Sequence, residues 1–187
     1  MTTTPTAGPL GTWFAGDHAR LEVLLDRAVS SPAAFDAAAF AEFRAGLLRH
    51  IALEEKFLLP RIRKARGGEP LPEARRLRVD HGAIASLLVP TPGAAIVAEI
   101  RSILAGHNAL EEGPEGLYAA ADRLLAAEAA ALLERIRSYP PVKVAPHNDG
   151  PTVCRTAEEA LRRSALQAEG TPRRPAGGAK EQESEDP

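Results

Sequence analysis

Residues 50–60 read HIALEEKFLLP and residues 107–118 read HNALEEGPEGLY. Of the five histidines in the chain, two thus stand four residues ahead of a Glu-Glu pair. On a helix, residues four apart lie one above the other on the same face. His50 with Glu54, and His107 with Glu111, would each present an imidazole and a carboxylate in one direction. Both pairs sit in otherwise apolar segments, where an unpartnered carboxylate is costly or is driven neutral by a shifted pKa. A metal cation removes that difficulty, so the spacing predicts metal ligation.

Apolar residues at three- and four-residue spacing outline four helices to position these groups. The first is predicted over residues 12–28, with Phe14, His18, Leu21 and Leu25 on one face. The second follows the cap-like Ser31-Pro32 and Asp36, runs to the glycines at 67 and 68, and carries the stripe from Phe40 through His50, Glu54 and Leu58. The third starts after Pro72 with Leu77, His81, Ile84 and Leu88, and stops at PTPG, 90–93. The fourth presents Ile96, Ile100, Ile103, His107, Leu110 and Glu111 before Gly113-Pro114 breaks or kinks it. Each predicted helix places one histidine on its apolar stripe. A single such histidine is ordinarily a hydrogen-bonded core residue; one per helix, two of them followed by a carboxylate, reverses that reading.

An internal repeat supports the partition: DHARL at 17–21 precedes HIALEE by one helix, and DHGAI at 80–84 precedes HNALEE in the same way. Two helix pairs folded together make an all-α four-helix bundle with a site at its core. Its interior would collect His18, His50, His81, His107, Glu54 and Glu111. Six donors suit two ions better than one, because a carboxylate can bridge and each ion can then take two histidines and both glutamates. Imidazole and carboxylate without thiolate select iron, manganese or zinc over copper(I) or an iron–sulfur cluster. Iron is favoured over zinc, and zinc over manganese, because oxygen-handling di-iron sites use this mixture of nitrogen and oxygen.

Beyond the fourth helix an Ala-rich helix is expected over Pro114 to Ser138, then an extended stretch, 139–151. Thr156 with Glu159 signals a short capped helix to residue 168, and from 169 onward Gly, Pro and charge predict disorder. The expected organisation is a bundle over 1–138, kinked near 113, an extended segment with a short helix over 139–168, and a tail over 169–187. A net charge of −2 offers no footprint for nucleic acid. The basic run RIRKAR at 61–66 reads as a solvated helix end. With neither a signal sequence nor a run of about 18 apolar residues, the expectation is a cytoplasmic protein without membrane contact. The single cysteine, Cys154, cannot form an internal disulfide and reads as inert rather than as a redox sensor.

The order H, HxxxE, H, HxxxE, with DH at 17 and 80 and HxxxEExxLLP at 50–60, resembles the hemerythrin-like (HHE cation-binding) family over residues 13–138. The resemblance implies an up-down four-helix bundle with a C-terminal extension. It implies a non-haem centre of two iron ions with an oxo or hydroxo bridge, ligated by His18, His50, Glu54, His81, His107 and Glu111, with both glutamates bridging. Oxygen-carrying members have a fifth histidine one turn from that of the third helix, and HxxxxD in the last. Here Leu77 and Ala85 flank His81 at that spacing, and the last motif ends in Glu111. This disfavours a reversible oxygen carrier and favours reaction with, or sensing of, O2, peroxide or nitric oxide, with an electron donor or a protein partner. The alternative is a metal-dependent regulatory or interaction module without turnover. No residue stands out as a general acid or base. Glu22 is a candidate for an additional ligand, Glu55, Glu112 and Tyr118 are weaker ones, Asp17 and Asp80 are helix-start or outer-shell candidates, and His147 belongs to a loop.

Overall fold

The computed structural model describes residues 7–31 and 34–170; Pro32 of the expected cap and the expected tail from 171 onward lie outside them. The described residues form helices, with one isolated bridge between Ser31 and Ala34 and no strand. None of these helices is long and apolar enough to cross a membrane.

Helix α1, Pro9–Ala28, starts earlier than the apolar stripe predicts. Its first free amides are capped from far along the chain: Leu10 and Gly11 donate to the two carboxylate oxygens of Asp122, at 2.9 and 3.1 Å. A carboxylate there satisfies orphan donors and complements the helix dipole. Helix α2, Ala37–Leu53, has the expected local cap, Ala39 N–H donating to Asp36 Oδ1 at 2.9 Å.

The second predicted helix is not uniform. A π turn, Glu54–Leu58, separates α2 from α3, Leu59–Ala65. Pro60 lies just beyond it. In a regular α-helix the Pro60 ring would meet the carbonyl four residues back, that of Lys56, and no N–H would be available to bond it. The wider turn relieves both problems, and such turns recur at functional sites. The helix then stops at Gly67 and Gly68, whose φ values of 70° and 101° suit glycine.

Helices α4, Ala74–Leu87, and α5, Ala94–Glu112, match the third and fourth predicted segments. The single helix expected over 114–138 is instead two: α6, Leu117–Leu124, and α7, Ala129–Arg137, separated by a 3-10 turn at Ala126–Glu128. No Gly or Pro marks this break, so propensity alone reads through it. After an extended strap, α8, Ala157–Gly170, begins with Glu159 N–H donating to Thr156 Oγ1. It runs past the expected end at 168, and Glu169 pairs with Arg75 of α4 at 2.9 Å. Helix α8 lies close against α4, because a Cβ on Gly82 would collide with Ser164 Oγ.

Two apolar clusters form the core. One gathers Leu10, Phe14, Leu53, Leu58, Leu77, Leu117 and Ile136; the other gathers Leu21, Phe43, Leu47, Ile84, Ile103 and Ala160. Along α1 the chain passes from the first cluster at Phe14 to the second at Leu21, with His18 between. Along α2 it passes back from Leu47 to Leu53 through His50. Helix α4 goes from Leu77 to Ile84 through His81, and α5 starts in the second cluster and presents His107 beyond Ile103. The histidines thus form a polar layer between two hydrocarbon blocks.

Candidate metal centre

His18, His50, His81 and His107 are 8%, 1%, 4% and 2% exposed, and Glu54 and Glu111 are fully buried. Their donor atoms fall into two groups that could hold a metal ion. The first comprises His18, His50, Glu54 and Glu111; the second comprises His81, His107 and the same two glutamates. Within each group the donor atoms lie within 4.8 Å of one another. An ion bonded at about 2.0–2.2 Å keeps its donors within roughly 4.4 Å, so only slight closure is needed.

The two glutamates divide their oxygens between the groups. Glu54 Oε1 is 3.2 Å from His50 Nε2, whereas its Oε2 is 3.2 Å from His81 Nε2. Glu111 Oε2 is 3.4 Å from His18 Nε2, whereas its Oε1 is 3.1 Å from His107 Nε2 and 3.6 Å from His81 Nε2. Despite these separations, Glu54 Oε2, Glu111 Oε1 and His81 Nε2 make no aligned hydrogen bond and are shut off from solvent. Buried polar atoms are rarely left this way, and a cation between them is the chemistry that would satisfy all three.

Each Glu-Glu pair has a division of labour. The first glutamate turns into the core, and the second turns to the opposite half of the molecule. Glu55 Oε1 is 2.9 Å from His81 Nδ1, and Glu112 Oε1 is 2.6 Å from His18 Nδ1. Asp17 Oδ2 likewise accepts from His50 Nδ1 at 2.9 Å, and Asp80 Oδ2 lies 3.8 Å from His107 Nδ1. At His18, His50 and His81 a carboxylate on Nδ1 places the proton there and leaves the Nε2 lone pair facing inward, as metal-ligating imidazoles require. Asp17 and Asp80 sit inside α1 and α4, so their helix-start reading is corrected: both belong behind the histidines.

Without a cation, the network holds protons. Burial opposes charge on His50, but Glu54, Asp17 and Glu111 outweigh it and push its pKa up to about 9. Burial is likewise outweighed at His81, raised well above its usual value by Glu111, Glu54 and Glu55, and at His107, raised by Asp80 and Glu111. Burial would raise Glu54, yet His50 and His81 hold it well below the usual carboxylate range. The pocket is built for positive charge.

Tyr118 is the residue that sequence reasoning left least resolved. Its hydroxyl lies 2.8 Å from Glu54 Oε1, 3.2 Å from Glu111 Oε2, and 3.1 Å from both His18 Nε2 and His50 Nε2. It therefore sits among the donors of the first group, with burial first and the charges of Glu54 and Glu111 second raising its pKa well above the ordinary phenol value. Gly116 makes this placement possible. A Cβ there would approach the carbonyl oxygens of Leu110 and Glu111 to 2.5 and 2.6 Å, so α6 could not start so close to the end of α5.

Other sequence candidates fall elsewhere. Glu22 is exposed, at the rim of a cavity beside His18, and joins neither donor group. His147 is exposed, 3.3 Å from the Val89 carbonyl. Cys154 is buried, and burial pushes its thiol pKa up, as an inert cysteine requires. The family model of the Hemerythrin HHE cation binding domain matches residues 12–137. No curated protein and no solved structure matches the chain.

Proposed function

The chain belongs to the hemerythrin HHE cation-binding family, and from that premise we propose that it is a non-haem di-iron protein that binds or reacts with O2, peroxide or nitric oxide. In this reading His18 and His50 would hold one ion and His81 and His107 the other, with Glu54 and Glu111 offering an oxygen to each. The observation that carries this reading is the split of each buried glutamate, one oxygen toward each group, with three donor atoms of the second group left without hydrogen bonds. The order in which the chain meets the two apolar clusters supports an up-down arrangement of the four histidine-bearing helices, followed by the 139–170 extension.

When bound, an iron pair supplies electrons to a diatomic or peroxide ligand. The surrounding residues set the conditions. Asp17, Glu55 and Glu112 fix the tautomers of His50, His81 and His18, Asp80 stands behind His107, the two apolar clusters flank the donors, and the Tyr118 hydroxyl is the proton-bearing group inside the first donor set. An electron donor is the implied partner, the setting is the cytoplasm, and neither nucleic acid nor a membrane surface enters the reading. The test is spectroscopic: iron-loaded protein should show near-ultraviolet charge-transfer bands that change with azide, peroxide or nitric oxide. Bands indifferent to all three would remove the proposed chemistry.

A regulatory reading, without turnover, draws on the same geometry. Donors come from α1, α2, α4 and α5, with Glu54 at the π turn, so occupancy would tie together segments far apart in the chain. Ligand-sensitive bands with no consumption of peroxide would favour it.

A further inference from the structure

A cavity of about 250 Å³ opens between α1, α2 and α5. That is room for roughly eight waters by liquid volume, or one small organic molecule. Its walls include Leu21, Leu25, Phe43, Leu47 and Leu104, and His18, the most exposed of the four buried histidines, is part of the lining. An apolar-walled space of this size exceeds what O2 or peroxide needs.

The lining carries one residue of each charge, Arg101 and Glu22. Arg101 is engaged with Asp26, which leaves the carboxylate of Glu22 as the ionised group of the lining without an ion-pair partner among the described residues. With Asp26, which lies outside the lining, Arg101 and Glu22 carry a net negative charge, and the remaining walls are hydrocarbon except at His18 and Asn108. A cationic head on an apolar body matches both features.

We propose that this cavity binds a small organic ammonium compound, its apolar body between α1, α2 and α5 and its ammonium group on Glu22. This goes beyond the di-iron reading and does not depend on it, because none of the recognition is assigned to the metal.

The probe is hexylammonium, compared with hexanol and hexanoate, titrated into the full chain with and without iron and followed by backbone amide chemical shifts and calorimetry. Hexylammonium should bind about fivefold more tightly than hexanol, as one partly screened ion pair allows, and hexanoate more weakly than either. Glu22→Gln should erase the preference for the amine while hexanol still binds. Ala105→Trp, at an exposed position of the lining, should block all three. Equal affinities for amine and alcohol in the unaltered chain, or binding that survives Ala105→Trp, would overturn the proposal. So would amine binding that needs iron but ignores Glu22, which would mark simple coordination to the metal.

Discussion

The two halves of the metal centre are written with nearly the same letters, DH then HxxxEE, yet they are not built alike. In the first half Glu54 and Glu55 stand at the start of a π turn forced upstream of Pro60; in the second, Glu111 and Glu112 end α5 just before Gly113. Both devices release adjacent glutamates in different directions, one inward and one across to the other half. Behind the histidines the halves diverge. Arg20 takes one oxygen of Asp17, at 2.8 Å, and leaves the other for His50. Arg76 takes both oxygens of Asp80, at 2.8 and 3.0 Å, and His107 Nδ1 is left without an aligned hydrogen bond. Tyr118 then places its hydroxyl in the first donor group alone. Repetition supplies the donors, and the unrepeated residues make the two positions inequivalent.

The strongest way to break the comparison is to remove a residue common to both halves. Glu54→Ala should abolish metal binding at both positions, whereas His107→Ala should spare the first, as read by metal content after reconstitution. Loss of only one ion from the Glu54 variant would contradict the shared-carboxylate geometry.

Next in size is a pH effect in the metal-free protein. His50 is raised from about 6.5 in the unfolded chain to about 9 in the fold. Its contribution to stability is therefore fully present below about pH 6.5 and lost as the pH rises through about 9, on the order of 3 kcal/mol at most. Denaturant midpoints of metal-free protein should fall across that window. Iron-loaded protein, in which the cation replaces the proton, should not follow.

How much of this was legible in the sequence depends on distance along the chain. His50 with Glu54, His107 with Glu111, and the Asp36 cap are local patterns, and local periodicity found them. The partners of Glu55 and Glu112 lie in another helix, so the sequence could turn them away from the site but could not say what they reach. Asp122 on the α1 amides and Tyr118 on His18 are separated by 100 residues or more, and neither leaves a local trace. A close reading of Gly116 could have hinted that α6 starts tight against α5. The break at Leu125 shows tertiary packing overriding an Ala-rich run whose propensity favours one continuous helix.

Smaller effects sharpen the difference behind the histidines. Asp17→Asn should weaken metal binding about 10–100-fold, as loss of an outer carboxylate typically does, while Asp80→Asn should cost less because its contact with His107 is already long. Titration of each variant against a metal-competing chelator separates them, and equal losses would erase the distinction. The smallest change is expected from Tyr118→Phe. It should lower the stability of the metal-free protein by about 1–2 kcal/mol through the unmet carboxylate oxygen of Glu54, with no loss of the second metal position. A denaturation curve unchanged from that of the parent chain would place the hydroxyl outside the network.

Most direct of all is the number of iron ions retained per chain. The account predicts that reconstituted, desalted protein holds two, one for each donor group, and that His50→Ala and His107→Ala each remove one. Iron near zero, or a content that neither substitution alters, would contradict it.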